Sequence, residues 1–314
     1  MKSDSRVAIL MCTFNGEKYL SEQLDSLMKQ TYSNFVCYVH DDGSIDKTMQ
    51  ILEDYERKMK EKLVIVKYEN RTHSANYNFC SFMKYAEKNL KEKYIMFCDQ
   101  DDVWLPQKIE KTVCAVRNVE LGETPALAYC DQIIVNEKLD VLYNSNEEIM
   151  HRTEADKSFK RIIFRNIAAG CCICINRPLL HLVCEAMEIQ NVVMHDWWIM
   201  LVAQATGNVA FVPESLMLYR QHSANALGVD NKKYIIKTLK YLRHFRQSIT
   251  ERSEQTRKCI QQVYALNTII DSCKQSDTIK MFCVAMNKNR ASRISFISKE
   301  GYLSLDNFFT LLFV

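Results

Sequence analysis

The stretch "YIMFCDQDDVWLP" (residues 94–106) decides the fold that we expect for this chain of 314 residues. Its first five residues form an apolar run of the kind that becomes a buried strand. Three carboxylates follow within four positions, at Asp99, Asp101 and Asp102. Because like charges crowded at a strand end repel one another, this cluster needs a positive group to face.

Apolar runs that end in polar clusters recur upstream of this stretch. Strands are predicted at 6–12, 35–40 and 63–68, and helices lie between them at 16–30, 46–60 and 75–90. Such a succession of βα units predicts an α/β fold with a mostly parallel, twisted sheet flanked by helices. Sheets of this kind bind ligands at the carboxyl ends of their strands. The polar clusters stand at those ends, at 13–16, 41–46 and 99–102.

The second half of the chain is less regular. We predict strands at 127–135 and 166–176, a buried helix at 194–207 and a loop at 219–228. From about residue 231, apolar side chains recur at helical spacing among lysines and arginines, at Ile235, Leu239, Leu242, Phe245 and Ile249. We therefore expect one domain at 1–230 and a helical C-terminal appendage at 231–314.

Composition narrows the functional classes. The chain is 47% hydrophobic and 25% charged, as in ordinary globular proteins, and its net charge of +3 gives no argument for a nucleic-acid partner. Most of the thirteen cysteines sit in apolar runs, which indicates reduced core thiols in a cytosolic protein. No run of about 18 apolar residues predicts a membrane span. The motifs of dinucleotide-binding, P-loop and common hydrolase sites are missing from the sequence.

Asp99 and Asp101 stand one residue apart and can share a divalent cation. Hard oxygen ligands suit Mg²⁺ or Mn²⁺, and Mg²⁺ takes its remaining ligands from phosphates and water. This predicts a site for a metal–diphosphate substrate. The alternative is a solvated acidic turn that caps the helix beginning near Pro106, and we expect Asp102 to form such a cap.

Two further clusters could contact a nucleotide. Asp41 and Asp42 follow the second predicted strand, where a carboxylate can accept hydrogen bonds from a nucleobase or a ribose. The alternative for this pair is turn chemistry around Gly43. Thr13 and Asn15 follow the first strand and could hydrogen-bond a nucleotide through backbone and side chain.

The segments "MHDWWIM" (194–200) and "YRQHSAN" (219–225) carry the remaining candidates. A carboxylate beside two large aromatic side chains, as at Asp196, could have a raised pKa and act as a general base. Trp197 and Trp198 could be platforms for a sugar, or this could be an aromatic core helix with a capping aspartate. Arg220 could face a phosphate and His222 could bind a metal, although a single histidine in a loop more often has neither role.

Together these segments resemble glycosyltransferase family 2, the inverting transferases of the GT-A nucleotide-diphospho-sugar transferase fold. The resemblance covers about residues 5 to 228. It rests on five stretches in the family's order: "TFNGEKYLSEQLDSLMKQTYSNF" (13–35), "DDGSIDKT" (41–48), "CDQDDVWLPQKIEK" (98–111), "HDWW" (195–198) and "YRQH" (219–222). One departure is Ser74, which stands where many relatives have a glycine after the third strand.

The resemblance implies a role for each matching residue. Asp196 would be the catalytic base, Asp101 and His222 would hold Mn²⁺ or Mg²⁺, and Trp197 and Trp198 would lie on the acceptor side. The residues implied for the nucleotide-sugar donor are Thr13, Asn15, Asp41, Asp42, Asp99, Gln100 and Arg220.

The variant "DQDDVW…HDWW…YRQH" is similar to bacterial members that build surface polysaccharides such as O-antigen and capsule. It implies a UDP-hexose or dTDP-rhamnose donor and a glycan or lipid-linked oligosaccharide acceptor. A basic helix at 232–258 would suit peripheral contact with the inner face of the cytoplasmic membrane. The alternatives are a nucleotidyl- or sugar-phosphate transferase and a non-catalytic carbohydrate- or nucleotide-sugar-binding protein on the same fold.

Overall fold

The computed structural model describes residues 5–67, 73–222 and 245–303, together with 310 and 313, and for 245–249 it describes the backbone alone. The strands in these ranges are β1 Val7–Thr13, β2 Phe35–Asp41, β3 Leu63–Ile65, β4 Tyr94–Cys98, β5 Val103–Trp104, β6 Ala126–Val135, β7 Val141–Tyr143, β8 Ile173–Asn176 and β9 Asn208–Arg220. The α-helices are α1 Leu20–Met28, α2 Thr48–Met59, α3 Ala75–Asn89, α4 Lys108–Val119, α5 Asn146–Met150, α6 Phe159–Ile162, α7 Arg177–Glu185, α8 His195–Thr206, α9 Phe245–Ala265, α10 Ser276–Met286 and α11 Arg290–Lys299.

The described strands form one sheet in the order β3-β2-β1-β4-β8-β6-β9-β5, with β7 paired to β6. Parallel pairing joins β1 to β2 and β4, and β2 to β3, as the βα units predict. In the second half, β8 pairs antiparallel with both β4 and β6, while β9 pairs parallel with β6. The α/β class is confirmed, and the complete sheet is mixed.

The sheet has a buried core on each face, because successive side chains of a strand point to opposite sides. On β1, Val7, Ile9 and Met11 pack with α1, α2 and α4, whereas Ala8 and Leu10 pack with α3, α7 and α8. All five of these side chains are fully buried. The strands of the first half are therefore apolar throughout, and polar residues appear only where each strand ends.

Two parts of the second half differ from the prediction. Of the strand expected at 166–176, only Ile173–Asn176 forms, and a 3-10 turn at Gly170–Cys172 precedes it. Strand β9 was not expected, and its last two residues occupy the start of the loop predicted at 219–228. Pro213 explains why the pattern is hard to recognise. It lies where the register against β6 slips between Val212 and Ser215, so its missing amide leaves no gap in the ladder.

Helices α9, α10 and α11 contribute to the same buried cluster as α8. Val263, Phe282 and Ile297 are fully buried there. The predicted boundary near residue 230 falls in 223–244, outside the described residues, and stays a prediction. Residues 232–244 of the basic helix predicted at 232–258 lie there as well, and the structure describes the rest as part of helix α9, from Phe245 onward.

All thirteen cysteines are free thiols, and most of them are buried as the sequence indicates. Cys114 is the exposed one. Within the ranges that the structure describes, no helix is both long and apolar enough to cross a membrane.

Candidate active site

The first polar cluster joins the ends of β1 and β2, where Thr13 and Asp41 are neighbours in the sheet. The Thr13 hydroxyl donates a hydrogen bond of 2.9 Å to Asp41 Oδ1. The other carboxylate oxygen of Asp41 accepts the amides of Gly43 and Ser44 at 3.1 and 2.8 Å. Asp41 thus shapes the turn after β2. Asp42 is only 2% exposed, and its amide donates to the Thr13 carbonyl.

Asn15 and Gln100 tie this turn to the loops on either side. Asn15 has a positive φ of 48°, its amide donates to Ser44 Oγ, and its side-chain oxygen accepts the Ile45 amide at 3.0 Å. The Phe14 amide donates to Gln100 Oε1 at 2.9 Å, and Gln100 Nε2 donates to the Phe14 carbonyl at 3.0 Å. The loops after β1, β2 and β4 are therefore locked together through side chains that the sequence analysis assigned to the donor.

The structure brings Asp101 and His222 together from positions that lie far apart in the chain. His222 Nε2 is 2.8 Å from Asp101 Oδ2. The Asp101 side chain is 19% exposed and the His222 side chain 7%. The His222 ring also packs against Tyr19, with ring centroids 5.0 Å apart. A carboxylate oxygen and an imidazole nitrogen thus meet at the edge of the carboxylate cluster.

Arg220 lies beneath this pair and is 1% exposed. Its Nε donates to the Asp101 carbonyl at 2.8 Å and its Nη1 to the Glu137 carbonyl at 2.7 Å. Its Nη2 forms an ion pair with Glu22, and its guanidinium lies 4.4 Å from the centre of the Tyr19 ring. The sequence analysis expected Arg220 to face a phosphate. The structure places it under the loop that carries Asp101, bonded to protein groups.

Asp102 does not cap a helix, and that expectation is wrong. Helix α4 begins at Lys108 without a side-chain cap, and Asp102 instead accepts the Arg220 amide at 3.1 Å. Asp102 is 1% exposed and its second oxygen has no hydrogen-bond partner. Burial, with Asp101 and Asp99 nearby, raises its pKa well above the usual range. Asp102 therefore links β9 to the carboxylate loop from inside the protein.

Asp99 lies at the end of β4, half-buried among other acidic groups. Burial, followed by the neighbouring charge of Asp101, raises the pKa of Asp99 to about 7. One oxygen of Asp99, one oxygen of Asp102 and the Cys171 sulfur lie within 4.8 Å of one another. The hydrogen bond with Cys172 lowers the pKa of Cys171, but burial and the charges of Asp102 and Asp99 outweigh it and raise the pKa well above its usual range. A thiol is also a soft ligand, which suits Mg²⁺ or Mn²⁺ less well than a carboxylate does.

Asp196 lies in the first turn of α8 and is 7% exposed. The Trp197 amide donates to its Oδ1 at 2.6 Å and the Gly170 amide to its Oδ2 at 3.1 Å. The Asn166 side chain hydrogen-bonds the same carboxylate. Burial raises the pKa of Asp196 to about 6, against the opposing effect of these hydrogen bonds.

Trp197 and Trp198 are core residues in this structure, 5% and 1% exposed. The Trp197 indole donates to the Ile162 carbonyl of α6, and the Trp198 indole donates to the Val183 carbonyl of α7 at 3.0 Å. Neither indole face is open to a sugar. The alternative of an aromatic core helix fits their position, because a buried indole needs a partner for its N–H and both have one.

Ser74, the departure from the family pattern, begins helix α3 as its N-cap. Its hydroxyl accepts the Tyr77 amide at 3.5 Å, and serine is a favoured residue at this position. Asn78, in the first turn of α3, is buried. Its Oδ1 lies 2.6 Å from His40 Nδ1, and this contact ties α3 to the end of β2.

Sequence reasoning missed Asn166 and Gly170, which support Asp196. Both lie in the segment 166–176, where the sequence predicts one continuous strand. The single glycine of "NIAAGCC" (166–172) was the available signal, because an isolated glycine in a strand pattern often marks a close approach of backbone to another group.

Comparison with known families supports the fold. The family described as Glycosyl transferase family 2 matches residues 8–184, more than half of the chain. The chain belongs to glycosyl transferase family 2. The resemblance inferred from the sequence is therefore confirmed.

Two relatives in this family show how far the similarity extends. The dTDP-rhamnosyl transferase RfbG of Shigella flexneri is 26% identical over 228 residues, which cover 70% of this chain and 74% of RfbG. An uncharacterized glycosyltransferase of Haemophilus influenzae is 24% identical over 338 residues, which cover 98% of this chain and 89% of that protein.

Solved structures with the same fold include S. aureus TarS 1-349 in complex with UDP-GlcNAc. It has a TM-score of 0.52 at 16% identity and covers 98% of this chain and 90% of TarS 1-349. The mannosyltransferase PcManGT from Pyrobaculum calidifontis, in complex with GDP-Man and Mn²⁺, has a TM-score of 0.50 at 13% identity, covering 99% of this chain and 87% of that one. At such identities the likeness concerns the fold, and the predicted GT-A architecture is confirmed.

Proposed function

We propose that this protein is an inverting glycosyltransferase that moves a sugar from a nucleoside diphosphate donor to a hydroxyl group of a glycan or lipid-linked oligosaccharide. The observation that carries the proposal is the convergence of two acidic groups from distant segments. Asp196 of α8 accepts the Gly170 amide at 3.1 Å, and the sulfur of the next residue, Cys171, lies within 4.8 Å of an oxygen of Asp99. A carboxylate that can act as a base therefore stands beside the cluster that we assign to the donor.

Asp196 is our candidate for the base. Its pKa of about 6 leaves it mostly ionised at neutral pH, yet more basic than an exposed aspartate. In the proposed step, Asp196 accepts the proton of the acceptor hydroxyl. The hydroxyl oxygen forms a bond to the anomeric carbon while the bond from that carbon to the diphosphate breaks on the opposite face. One displacement of this kind inverts the configuration.

The donor would lie over the locked loops at the ends of β1, β2 and β4. We propose that Asp42 recognises the base or ribose, and that Asp99 faces the ribose–diphosphate part. The side chains of Thr13, Asn15, Asp41 and Gln100 are engaged in holding these loops. We infer that they act by presenting the loop backbone to the nucleotide in a fixed shape. Arg220 would act indirectly, because its guanidinium donates to the Asp101 carbonyl and so holds the loop that carries Asp101.

The residues present fit a divalent cation at Asp101 and His222. These two side chains are hydrogen-bonded at 2.8 Å, reach the surface side of the cluster and supply an oxygen and a nitrogen, which suit Mn²⁺. Burial is the main cause of the raised pKa of Asp99, and the charge of Asp101 adds to it. A cation at this site would relieve the repulsion between the two carboxylates. When bound, Mn²⁺ or Mg²⁺ would neutralise the charge that develops on the diphosphate leaving group.

The similarity to RfbG supports dTDP-rhamnose as the first donor to test, with UDP-hexoses next. We propose a role in building a bacterial surface polysaccharide such as O-antigen or capsule. We also propose that the protein works in the cytoplasm at the inner face of the membrane, where a lipid-linked acceptor would be exposed. The basic residues near the start of the predicted C-terminal helix support this location.

A thermal-shift screen of dTDP, UDP, GDP and CDP, each with and without Mn²⁺, tests donor and metal binding. A ligand that binds the folded state alone raises the melting temperature by mass action. We expect one nucleotide to raise it, and to do so more with Mn²⁺. The matched control is Asp101→Asn, which should keep the fold and lose the metal-dependent part of the shift.

Turnover is tested next, by release of the nucleoside diphosphate from the matching sugar donor in the presence of acceptor. We expect the wild-type protein to release the nucleoside diphosphate and Asp196→Asn to release none. The variant should bind the nucleotide as tightly as the wild type does. Metal-dependent binding without release on any acceptor would instead support the non-catalytic nucleotide-sugar-binding protein. No shift with any nucleotide would remove the proposed role of the carboxylate cluster.

A further inference from the structure

His195, directly before the candidate base, is 5% exposed and lies in an apolar pocket. Its ring stacks on Phe79 with centroids 4.2 Å apart and planes at 19°, and the Phe97 ring lies 6.0 Å away. Neither ring nitrogen has a hydrogen-bond partner. Burial lowers the pKa of His195 to about 3, so the ring stays neutral and is held by packing.

The Nε2 edge of the His195 ring lies against Gly170. A Cβ atom at Gly170 would stand 2.4 Å from His195 Nε2, a distance that real Cβ atoms essentially never show. Gly170 therefore has no room for a side chain as long as the ring is present. Its amide donates to Asp196 Oδ2 at 3.1 Å. The ring and the carboxylate thus contact the same short piece of backbone, one through its Cα and the other through its N–H.

We propose that His195 and Gly170 are positioning residues for the base: the imidazole, stacked on Phe79 with its Nε2 edge against Gly170, keeps the Gly170 amide aimed at Asp196. This inference rests on the proposed function in one respect, that Asp196 is the base. The amide donates to the charged form of the carboxylate and so favours ionisation, opposing the effect of burial. Because Oδ1 accepts the Trp197 amide and Oδ2 the Gly170 amide, the two hydrogen bonds together fix the orientation of the carboxylate.

Other groups around Asp196 could influence the same carboxylate, and the test has to separate them. Asp99 on β4 and the Cys80 thiol on α3 interact with it electrostatically. Asn166 and the Trp197 amide hydrogen-bond it. These groups are unchanged in variants of Gly170 or His195. A change in the pKa of Asp196 in those variants therefore reports on the contact between His195 and Gly170.

The first experiment measures the pKa of Asp196 by ¹³C NMR of protein labelled at the aspartate side-chain carboxyl, with Asp196→Asn to assign the signal. In Gly170→Ala, the new Cβ and the ring cannot both keep their places, so the amide moves and the Asp196 pKa should rise. The acid limb of the transfer rate should move to higher pH with it, and kcat should fall about tenfold or more with the donor KM unchanged. An unchanged Asp196 pKa in Gly170→Ala would overturn the proposal.

The double variant Gly170→Ala/His195→Ala gives the sharper test, because removing the ring makes room for the new Cβ. We expect its Asp196 pKa and kcat to return part of the way to wild-type values, so that the two changes are strongly non-additive. Additive losses in the double variant would show that the ring does not act through Gly170, and the proposal would be wrong.

A third measurement needs neither the Gly170 variant nor turnover. The chain has only seven glycines, so ¹⁵N-glycine labelling makes the Gly170 amide easy to follow. Its proton shift should titrate with Asp196 in the wild type, and the amplitude should fall by at least half in His195→Ala. Ile199→Ala, a buried change on the same helix, is the control and should keep the full amplitude. An unchanged amplitude in His195→Ala would overturn the proposal, whereas failure of the wild type to transfer sugar would count against the proposed function alone.

Discussion

Replacing Asp196 by asparagine is expected to abolish sugar transfer and also to remove a destabilising charge from the fold. The carboxyl is 7% exposed, and burial raises its pKa from 3.8 to about 6. A carboxyl whose pKa is higher in the folded state than in the unfolded state binds more protons when folded, so its ionisation opposes folding. Asparagine is neutral at every pH and does not carry this cost.

The magnitude follows from the two pKa values. A rise from 3.8 to about 6 corresponds to a cost of about 3 kcal/mol at pH 8, where both states are ionised. The cost shrinks as the pH falls below about 6, because the folded state then keeps its proton, and at pH 5 it is about 2 kcal/mol. The increase in the free energy of unfolding caused by Asp196→Asn should therefore be about 1 kcal/mol smaller at pH 5 than at pH 8.

The loss of one hydrogen bond does not obscure this difference. Asparagine has one oxygen, so either the Gly170 or the Trp197 amide loses its acceptor, at a cost of about 1–3 kcal/mol. That cost is the same at every pH. It offsets part of the gain at pH 8 and leaves the dependence on pH unchanged.

The assay is urea unfolding followed by circular dichroism at pH 5, 6, 7 and 8. Asp156→Asn is the matched control with the opposite sign. Asp156 is 8% exposed, and although burial acts to raise its pKa, hydrogen bonds from Thr153 and the nearby Arg165 lower it. Its removal should destabilise the protein at pH 8 and do so less as the acid range is approached. If the stability difference for Asp196→Asn is the same at all four pH values, the argument from burial is wrong.

Three further predictions follow from the same structure and sequence. The transfer rate of the wild type should fall tenfold per pH unit below about pH 6, because Asp196 must be ionised to accept a proton, and a pH–rate profile of kcat/KM measures this. Arg220→Lys should lower the free energy of unfolding in urea by about 3 kcal/mol, because lysine cannot supply all the buried hydrogen bonds of the guanidinium, whereas a drop below about 0.5 kcal/mol would contradict that role. Replacing Lys232, Lys233 and Lys237 by glutamine should weaken co-sedimentation with anionic lipid vesicles on the order of 100-fold at low salt, and equal binding would argue against membrane contact there.

The first half of the fold could be predicted because its signals are local. Each parallel strand is buried on both faces, so it appears as an apolar run, and the ligand-facing residues begin where the run stops. The end of β4 illustrates this: Cys98 is fully buried and Asp99, the next residue, belongs to the candidate site. Agreement among the ends of three strands then predicted where the site lies.

The second half could not be predicted to the same degree because its strands depend on partners distant in sequence. Strand β9 contains Pro213 and Glu214, which a sequence pattern takes as signs of a loop. In the sheet they fall at the place where the register with β6 slips, between the pairs Val212–Cys130 and Ser215–Asp131. The bulge is a property of the pairing of two strands, and neither strand shows it alone.

The roles of individual charged residues also depend on partners that are distant in the sequence. A sequence motif shows that a charged group is present near a site, but it does not show whether that group faces a ligand or a protein carbonyl. Arg220 and Asp102 lie in the protein interior, where they join β9 to the loop that carries Asp101. A buried guanidinium needs several acceptors, and backbone carbonyls supply them as well as phosphates do.

The "HDWW" motif shows why such supporting residues still matter for the candidate site. Trp197 bonds the Ile162 carbonyl of α6 and Trp198 bonds the Val183 carbonyl of α7, so the first turn of α8 is anchored on two sides. Asp196 lies in that turn, between the Trp197 amide and the Gly170 amide. Because the two indoles fix the helix and the histidine ring covers Gly170, three of the four residues of the motif determine where the carboxylate of the fourth stands. The sequence suggests that the motif consists of a base and a sugar platform. In three dimensions it consists of a candidate base, Asp196, and the three residues that position it.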